Sequence, residues 1–457
     1  MKNCFYSDEM KSLQQRDLKH IWHPCSQMKD YEDFPPIVLA RGEGAYLYDV
    51  DGKSYLDAVS SWWVNLFGHS NKRINEALKA QVDKLEHAIF ANFSHSPAIE
   101  LSEMVVELLP DGLSKVFFSD NGSSAVEIAL KMSFQYHMQT GQSGKTKFLS
   151  LEGAYHGETI GALSVSGVGL YSDIYSPMLL DVKRVEGPDC YRCRYGLRRE
   201  SCEAECFELM EERVSREHKD ISGIIVEPMV QCARGINIYS PKYLEKLRKL
   251  CTCYGINLIA DEIAVGFGRT GKMFGIDHAK IVPDIVCLSK GLTAGYLPMA
   301  LTVTTDEIYR AFYDDYDKMK SFLHSHSYTG NPLSCAVGVE SLNIFKDEFI
   351  LDKNREKSKA MYDMVTQKIK NIEQVGEYRQ LGMIGAIELV SDRANKLGFD
   401  PNLRVGYEIY KRAVTKGVLL RPLGNIIYFM PPYVVDQDDM DFMTDVAANS
   451  IKEHFGA

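Results

Sequence analysis

No stretch of this chain holds the roughly 18 apolar residues in a row that a membrane-crossing helix requires, so no membrane span is expected. Excess positive charge is missing too. The 52 Lys and Arg stand against 62 Asp and Glu, a formal net charge of −10, which is the wrong sign for binding a nucleic-acid backbone. Met1 to Asp17 is polar and charged and lacks the apolar core of a secretory leader, from which a cytoplasmic protein is expected. There is no internal repeat, no low-complexity tract and no linker. Tryptophan is scarce, three in 457 residues, and two of the three are adjacent, Trp62-Trp63. What the chain has in ordinary measure is 45% hydrophobic and 25% charged residues, the balance of a globular protein of roughly two or three domains.

Cysteine is plentiful but wrongly arranged for a disulfide framework. The count is odd, 11, and Cys251, Cys253, Cys287 and Cys335 sit in apolar runs, as free buried thiols do. Cys190, Cys193, Cys202 and Cys206 differ, spaced C-x2-C-x8-C-x3-C in a polar, arginine-rich segment. Two readings stay open. The preferred one is a loop with four reduced thiols and no metal; the other is a structural zinc knuckle closed by four thiolates. His324 and His326 have no acidic or cysteine partner nearby in sequence and are not expected to hold a metal.

The chemistry gathers at Ile285-Val286-Cys287-Leu288-Ser289-Lys290-Gly291. An apolar run between Pro283 and a small-residue turn predicts a buried strand, with Lys290 just past its C-terminal end. Lysine is rarely buried without a task; a desolvated lysine amine loses its proton and condenses with a carbonyl. A second apolar strand, Ile256 to Ala260, ends at Asp261-Glu262. Pyridoxal phosphate needs a lysine for its aldehyde, a carboxylate for its ring nitrogen and a phosphate cradle. Strand C-terminal ends are where open α/β sheets bind ligands. Taken singly, Lys290 reads as a surface lysine and Asp261 as a helix cap.

The cradle follows the strand Val116 to Asp120. Asn121-Gly122-Ser123-Ser124 opens a helix, so free N–H groups and the helix dipole face an anion. Seen alone, it is equally a capped helix start. Tyr155 follows the strand Phe148 to Leu151 and is suited to stack on a flat ring. Strands alternate with helices from about residue 110 to 300, predicting a parallel sheet with crossovers. Asp51-Gly52 between alternating runs predicts a hairpin, and residues 72 to 109 read as helical. Helices are also expected over Pro241 to Cys253 and Pro332 to Lys346. Trp62-Trp63 reads equally as core or as a pocket wall, and Arg421 as a strand-end fork for a carboxylate or a surface arginine. Gly266-Phe267-Gly268-Arg269-Thr270-Gly271 matches G-x-G-x-x-G, but it does not directly follow a strand, so the dinucleotide reading fails.

Asp261-Glu262-x-x-x-Gly266-Phe267-Gly268-Arg269-Thr270-Gly271 followed by Ser289-Lys290-Gly291 resembles the class III (ω) aminotransferases, nearly end to end. The resemblance implies an α/β chain of PLP-dependent transferase fold type I (aspartate aminotransferase-like). Residues 1–64 would join the small domain, 65–345 would form the large PLP-binding domain on a mainly parallel sheet, and 346–457 a smaller α+β domain. It implies pyridoxal 5′-phosphate as cofactor, Lys290 and Tyr155 as catalytic residues, and Gly122, Ser123, Tyr155, Gln231, Asp261, Lys290 and Ser327 as cofactor-binding residues. Gln231 would sit near the 3′-oxygen of the ring. Ser327 would reach the phosphate of a partner subunit, making a homodimer with shared active sites. Trp63, Ser325, Arg421 and Tyr428 would line the substrate pocket.

Within the class, His20-Ile21-Trp22-His23-Pro24, Ser60-Ser61-Trp62-Trp63, Tyr155-His156-Gly157-Glu158-Thr159 and Arg421-Pro422-Leu423-Gly424 are similar to members that aminate 8-amino-7-oxononanoate in biotin synthesis. Those members use S-adenosylmethionine, and some relatives lysine, as amino donor. Cys25 stands where the family has tyrosine, Glu158 where it has aspartate, and the Ser325 to Asn331 stretch departs near the donor. Other ω-aminotransferases, acting on ornithine, 4-aminobutyrate or lysine, remain alternatives, as does a PLP-binding protein without catalysis. The last lacks any helix-turn-helix segment or basic patch.

Overall fold

The computed structural model describes residues 6–456. The first five residues of the leader reading lie outside them. Among the described residues, no helix is long and apolar enough to cross a membrane.

The strand–helix alternation builds a seven-stranded sheet. Its order is Leu113–Ser119, Ala300–Thr305, Ile285–Leu288, Asn257–Asp261, Ile221–Val226, Lys147–Leu151, Lys183–Val185. Only Ala300–Thr305 runs against the rest. The three central strands are buried at every residue, as expected where helices cover both faces of a parallel sheet. Asp261 pairs in register with Cys287, so the strands ending at Asp261 and just before Lys290 stop at one edge. Four-cysteine residues 190–206 lie between the edge strand Lys183–Val185 and the helix Glu208–Glu217.

The Asp-Gly turn joins Tyr46–Asp49 to Ser54–Asp57 as an antiparallel hairpin. The last of these strands pairs in parallel with Val418–Leu419 from the far end of the chain. Val375–Leu381, Ile384–Leu389 and Ile426–Phe429 form a separate antiparallel sheet. Helices occupy Pro241–Tyr254 and Pro332–Asp347, close to expectation. The helical stretch from 72 to 109 is broken into Lys72–Val82 and Ser96–Leu108. His95 caps the second helix by accepting from the Ala98 N–H, and Pro97 sits in its first turn, where a missing N–H costs nothing. Arg421 lies two residues beyond the strand Val418–Leu419, not at its end.

Candidate active site

Two cavities meet at Lys290. The inner one, about 540 Å³, is lined by Gly122, Ser123, Tyr155, Glu227, Asp261 and Lys290, among others. The outer one, about 1200 Å³, is lined by Cys25, Glu158, Arg404, Arg421 and Tyr428, among others, and shares Trp63, Ser123, Tyr155 and Lys290 with the first.

Asp261 is 4% exposed. The Ile263 N–H donates to its Oδ1 at 3.1 Å, and His156 Nδ1 lies 2.7 Å from its Oδ2. A carboxylate only accepts, so Nδ1 carries the proton, and the buried Nε2 of His156 has no partner. Lys290 has φ +45°, a left-handed conformation that costs a residue with a side chain about 1–3 kcal/mol and persists where surroundings enforce it. Its amine lies 4.6 Å from the centroid of the Trp63 ring, over the face. Burial pushes this amine below the ordinary lysine value, opposed by Cys232, Asp261 and Glu227 and assisted by Arg269. The base is therefore easier to reach in its neutral, nucleophilic form. Glu227, also in the wall, is held well above the usual carboxyl range by burial first and by neighbouring Asp261 second.

At the other end, Gly122 begins the helix Gly122–Gln139, and Asn121 caps it by accepting from the Ser124 N–H. A Cβ on Gly122 would meet Ile263 at 3.0 Å, and one on Gly157 would strike Ser123 Oγ at 2.2 Å. Small residues are thus required where a phosphate would approach backbone amides. Asp261, an orphaned ring nitrogen on His156, an amine at Lys290 and this cradle fit pyridoxal phosphate: each has the charge and donor chemistry of one part of it.

In the outer cavity, Tyr155 OH donates to Glu158 Oε1 at 2.8 Å, and Cys25 Sγ stands 3.8 Å from the same oxygen. Burial and the Glu158 contact push the Tyr155 hydroxyl up. Arg421 lies over the Trp62 ring, 4.2 Å from its centroid, and donates to the Cys25 carbonyl at 3.4 Å. Glu158 is the one acidic side chain in this wall, against Arg234, Lys290, Arg404 and Arg421. Trp63 Nε1 donates to Tyr428 OH at 3.0 Å.

The structure thus brings together Trp63, Gly122, Ser123, Tyr155, Asp261, Lys290, Arg421 and Tyr428. It corrects the expectation for Gln231, which lines neither cavity. Its amide donates to the Glu152 carbonyl at 3.3 Å, and its oxygen accepts from Asn237 at 3.1 Å and Arg234 at 3.3 Å; it braces the Val230–Gln231 hairpin. Ser325 and Ser327 also lie outside both cavities of their own chain and are exposed. Sequence reading missed His156 and Glu227. Each had a signal, a polar residue within one position of a strand end or of Tyr155, but no pattern for its role. Cys190, Cys193, Cys202 and Cys206 are free thiols around one small cavity of about 40 Å³. Burial pushes Cys190 up to about 12 and Cys206 up to about 11. Among the described residues, no three metal-ligating side chains are grouped to hold an ion.

The sequence pattern of the family described as Aminotransferase class-III matches residues 27–451. An adenosylmethionine-8-amino-7-oxononanoate aminotransferase of Geobacter sulfurreducens is 44% identical over 97% of this chain and 98% of its own. The crystal structure of the enzyme of that name from Methanocaldococcus jannaschii is similar at TM-score 0.92 and 38% identity, over 97% of this chain and 99% of that one. An omega transaminase from Pseudomonas jessenii, solved in complex with PMP, is similar at TM-score 0.92 and 30% identity, over 97% and 98%.

Proposed function

From the premise that this chain belongs to the class-III aminotransferases, we propose that it transfers an amino group to the ketone of 8-amino-7-oxononanoate, a step of biotin synthesis, with S-adenosylmethionine as donor. The observation that carries the reaction type is the shared inner cavity, where the Lys290 amine and the Asp261 carboxylate face one space beside a small-residue cradle. The substrate follows from the relatives' names over nearly the whole chain.

Bound in that cavity, pyridoxal phosphate supplies a carbonyl for an amine and an electron-withdrawing ring that acidifies the donor's α C–H. Asp261, oriented by His156, would hold a proton at the ring nitrogen. Lys290 Nζ would take the proton from the donor's α-carbon and return it on the acceptor's side. Gly122 and Ser123 would hold the phosphate through their N–H groups, and Tyr155 would pack on the ring. Trp63 excludes water from one side of Lys290. Arg421 would fork onto the acid's carboxylate, with Tyr428 and Trp63 as apolar wall. Residues 1–64 and 346–457 would act together as the smaller unit beside the 65–345 unit. The exposed loop with Ser325 and Ser327 would complete the site of a second copy, in a homodimer working in the cytoplasm.

The donor is tested by mixing the cofactor-loaded protein separately with S-adenosylmethionine and with lysine and following the cofactor's visible band. Loss of the band with S-adenosylmethionine alone is expected. Loss with lysine alone would move the donor to lysine, the question that the departures at Cys25 and Ser325 to Asn331 leave open. Brisk amination of 2-oxoglutarate with none of the oxononanoate would refute the substrate.

A further inference from the structure

The Gly266–Gly271 loop has no dinucleotide role, yet it carries a cation in an unusual place. Arg269 is 1% exposed, and burial pulls its guanidinium below the ordinary arginine value. Its two terminal nitrogens donate to backbone carbonyls instead of a carboxylate, and among the described residues its Nε has no partner. Nη1 donates to Pro431 O at 2.9 Å and Met430 O at 3.5 Å; Nη2 donates to Asn65 O at 2.9 Å and Trp63 O at 3.3 Å. The guanidinium also sits over the Tyr433 ring, 5.1 Å from the centroid. Burying a charge this way is costly and persists only where something is gained.

What the fork holds is strained. Ser60, Ser61, Trp62 and Trp63 have φ of +52°, +46°, +72° and +73°, four consecutive left-handed residues without one glycine. Asp57 holds one side of this turn, accepting from Ser61 N–H at 2.9 Å and Ser61 Oγ at 2.7 Å. Ser60 Oγ donates to the Met430 carbonyl at 2.7 Å. The turn delivers the Trp63 ring to 4.6 Å from Lys290 Nζ and its Nε1 to Tyr428. Tyr428 belongs to the strand that runs on into Met430 and Pro431, the other end of the fork. One planar guanidinium therefore ties the two backbone segments whose aromatic side chains wall Lys290.

We propose that Arg269 is a positioning residue: its fork fixes the left-handed Ser60–Trp63 turn and, through it, the Trp63 indole against the Lys290 amine. The proposal rests on the aminotransferase reading for its consequence in turnover, but not for its geometry. Lysine at 269 loses the fork and, buried without a carboxylate, shifts its own pKa readily, so it is the lack of additivity with a Trp63 substitution that separates position from charge. The groups that act most on Lys290 are Cys232, Asp261, Glu227 and Arg269, with Asp120, Tyr155, His156 and Tyr296 also lining its cavity, and the substitution alters only position 269.

The test is trace acetylation of Lys290 against pH in the full chain freed of cofactor, read by peptide mass spectrometry. In Arg269→Lys the midpoint rises by about one pH unit or more, as Trp63 shifts and water reaches the amine. Trp63→Ala gives the same rise, and Arg269→Lys adds nothing in that background, the signature of two residues acting as one. In the loaded enzyme Arg269→Lys lowers kcat about 10- to 100-fold, the scale of an ångström-sized misplacement, more than it alters KM. Labelling needs neither cofactor nor substrate, so its failure is distinct from failure of the functional reading. An unchanged Lys290 midpoint in either variant, or shifts that simply add, would overturn the proposal. If Arg269→Lys does not fold, the same measurement is made with Ser61→Gly added, because glycine takes the left-handed φ without cost. A double variant that still does not fold would assign Arg269 to the general core and overturn it as well.

Discussion

The inner and outer cavities share Trp63, Ser123, Tyr155 and Lys290, yet their charged groups are held in different ways. Inside, Asp261 is fixed by a ring nitrogen at 2.7 Å and a backbone N–H at 3.1 Å, at the end of a strand buried on both faces. Neighbouring Glu262 accepts from the Gly275 and Ile276 N–H groups, both at 2.8 Å. Outside, Arg421 rests on the exposed face of Trp62 and one long hydrogen bond. Arg404 is held by a two-pronged contact to Asp30 of the N-terminal segment. On the proposed function, the inner region would carry the chemistry and the outer one the selection. Groups that must act on any substrate are locked before it arrives, whereas groups that recognise one substrate stand where solvent and ligand exchange.

Substitutions break that comparison in a graded way. The largest effect is expected from Lys290→Ala, with turnover falling about 10⁶-fold, the scale on which an enzyme loses its nucleophile; steady-state kinetics check it. Asp261→Asn comes next, with kcat down about 10³-fold, because a neutral amide gives the ring proton no charge to rest against. A loss under tenfold would mean the inner cavity is not the preorganised part. Arg421→Met should raise KM for the oxo acid about 10- to 100-fold, the worth of a charged hydrogen bond of about 1.5–3 kcal/mol, and leave the donor half of the reaction alone. A fall in kcat instead would erase the division between the cavities.

The last effect concerns stability and not turnover. Burial pushes Glu262 up to about 8 from 4.5, so between those values the folded chain keeps a proton that the unfolded chain has released. This contribution is full below 4.5 and is lost as pH rises to about 8, by at most about 1.4 kcal/mol per pH unit. Glu262→Gln should flatten that slope in urea unfolding of the cofactor-free protein. An unchanged slope would show that its two N–H donors keep it ionised.

The same contrast decides what could be read from sequence. The placement of Asp261 and Lys290 at strand ends and of Gly122-Ser123 at a helix start was legible because those are local patterns. The hairpin at Asp51-Gly52 was legible for the same reason. The break between residues 82 and 96 was not, since apolar periodicity continues past it and only His95 and Pro97 mark the restart. Gln231 was misassigned because the two-residue strand Val230–Gln231 commits its amide to Glu152, a partner 79 residues away in sequence. Arg269 gave no sign of burial, since its partners are carbonyls from residues 63 to 65 and 430 to 431. Spacing shows neither strain nor long-range hydrogen bonds, and the aromatic wall of Lys290 depends on both.

On this proposal the amine of Lys290 would be the protein's one attachment point for the cofactor, in the cavity that Asp261 shares. Reduction of the cofactor-loaded protein with borohydride followed by peptide mass mapping tests it most directly. A single pyridoxyl phosphate mass increment on the peptide containing Ser289-Lys290-Gly291 is the predicted result; the increment on any other lysine, with Lys290 unmodified, would contradict it.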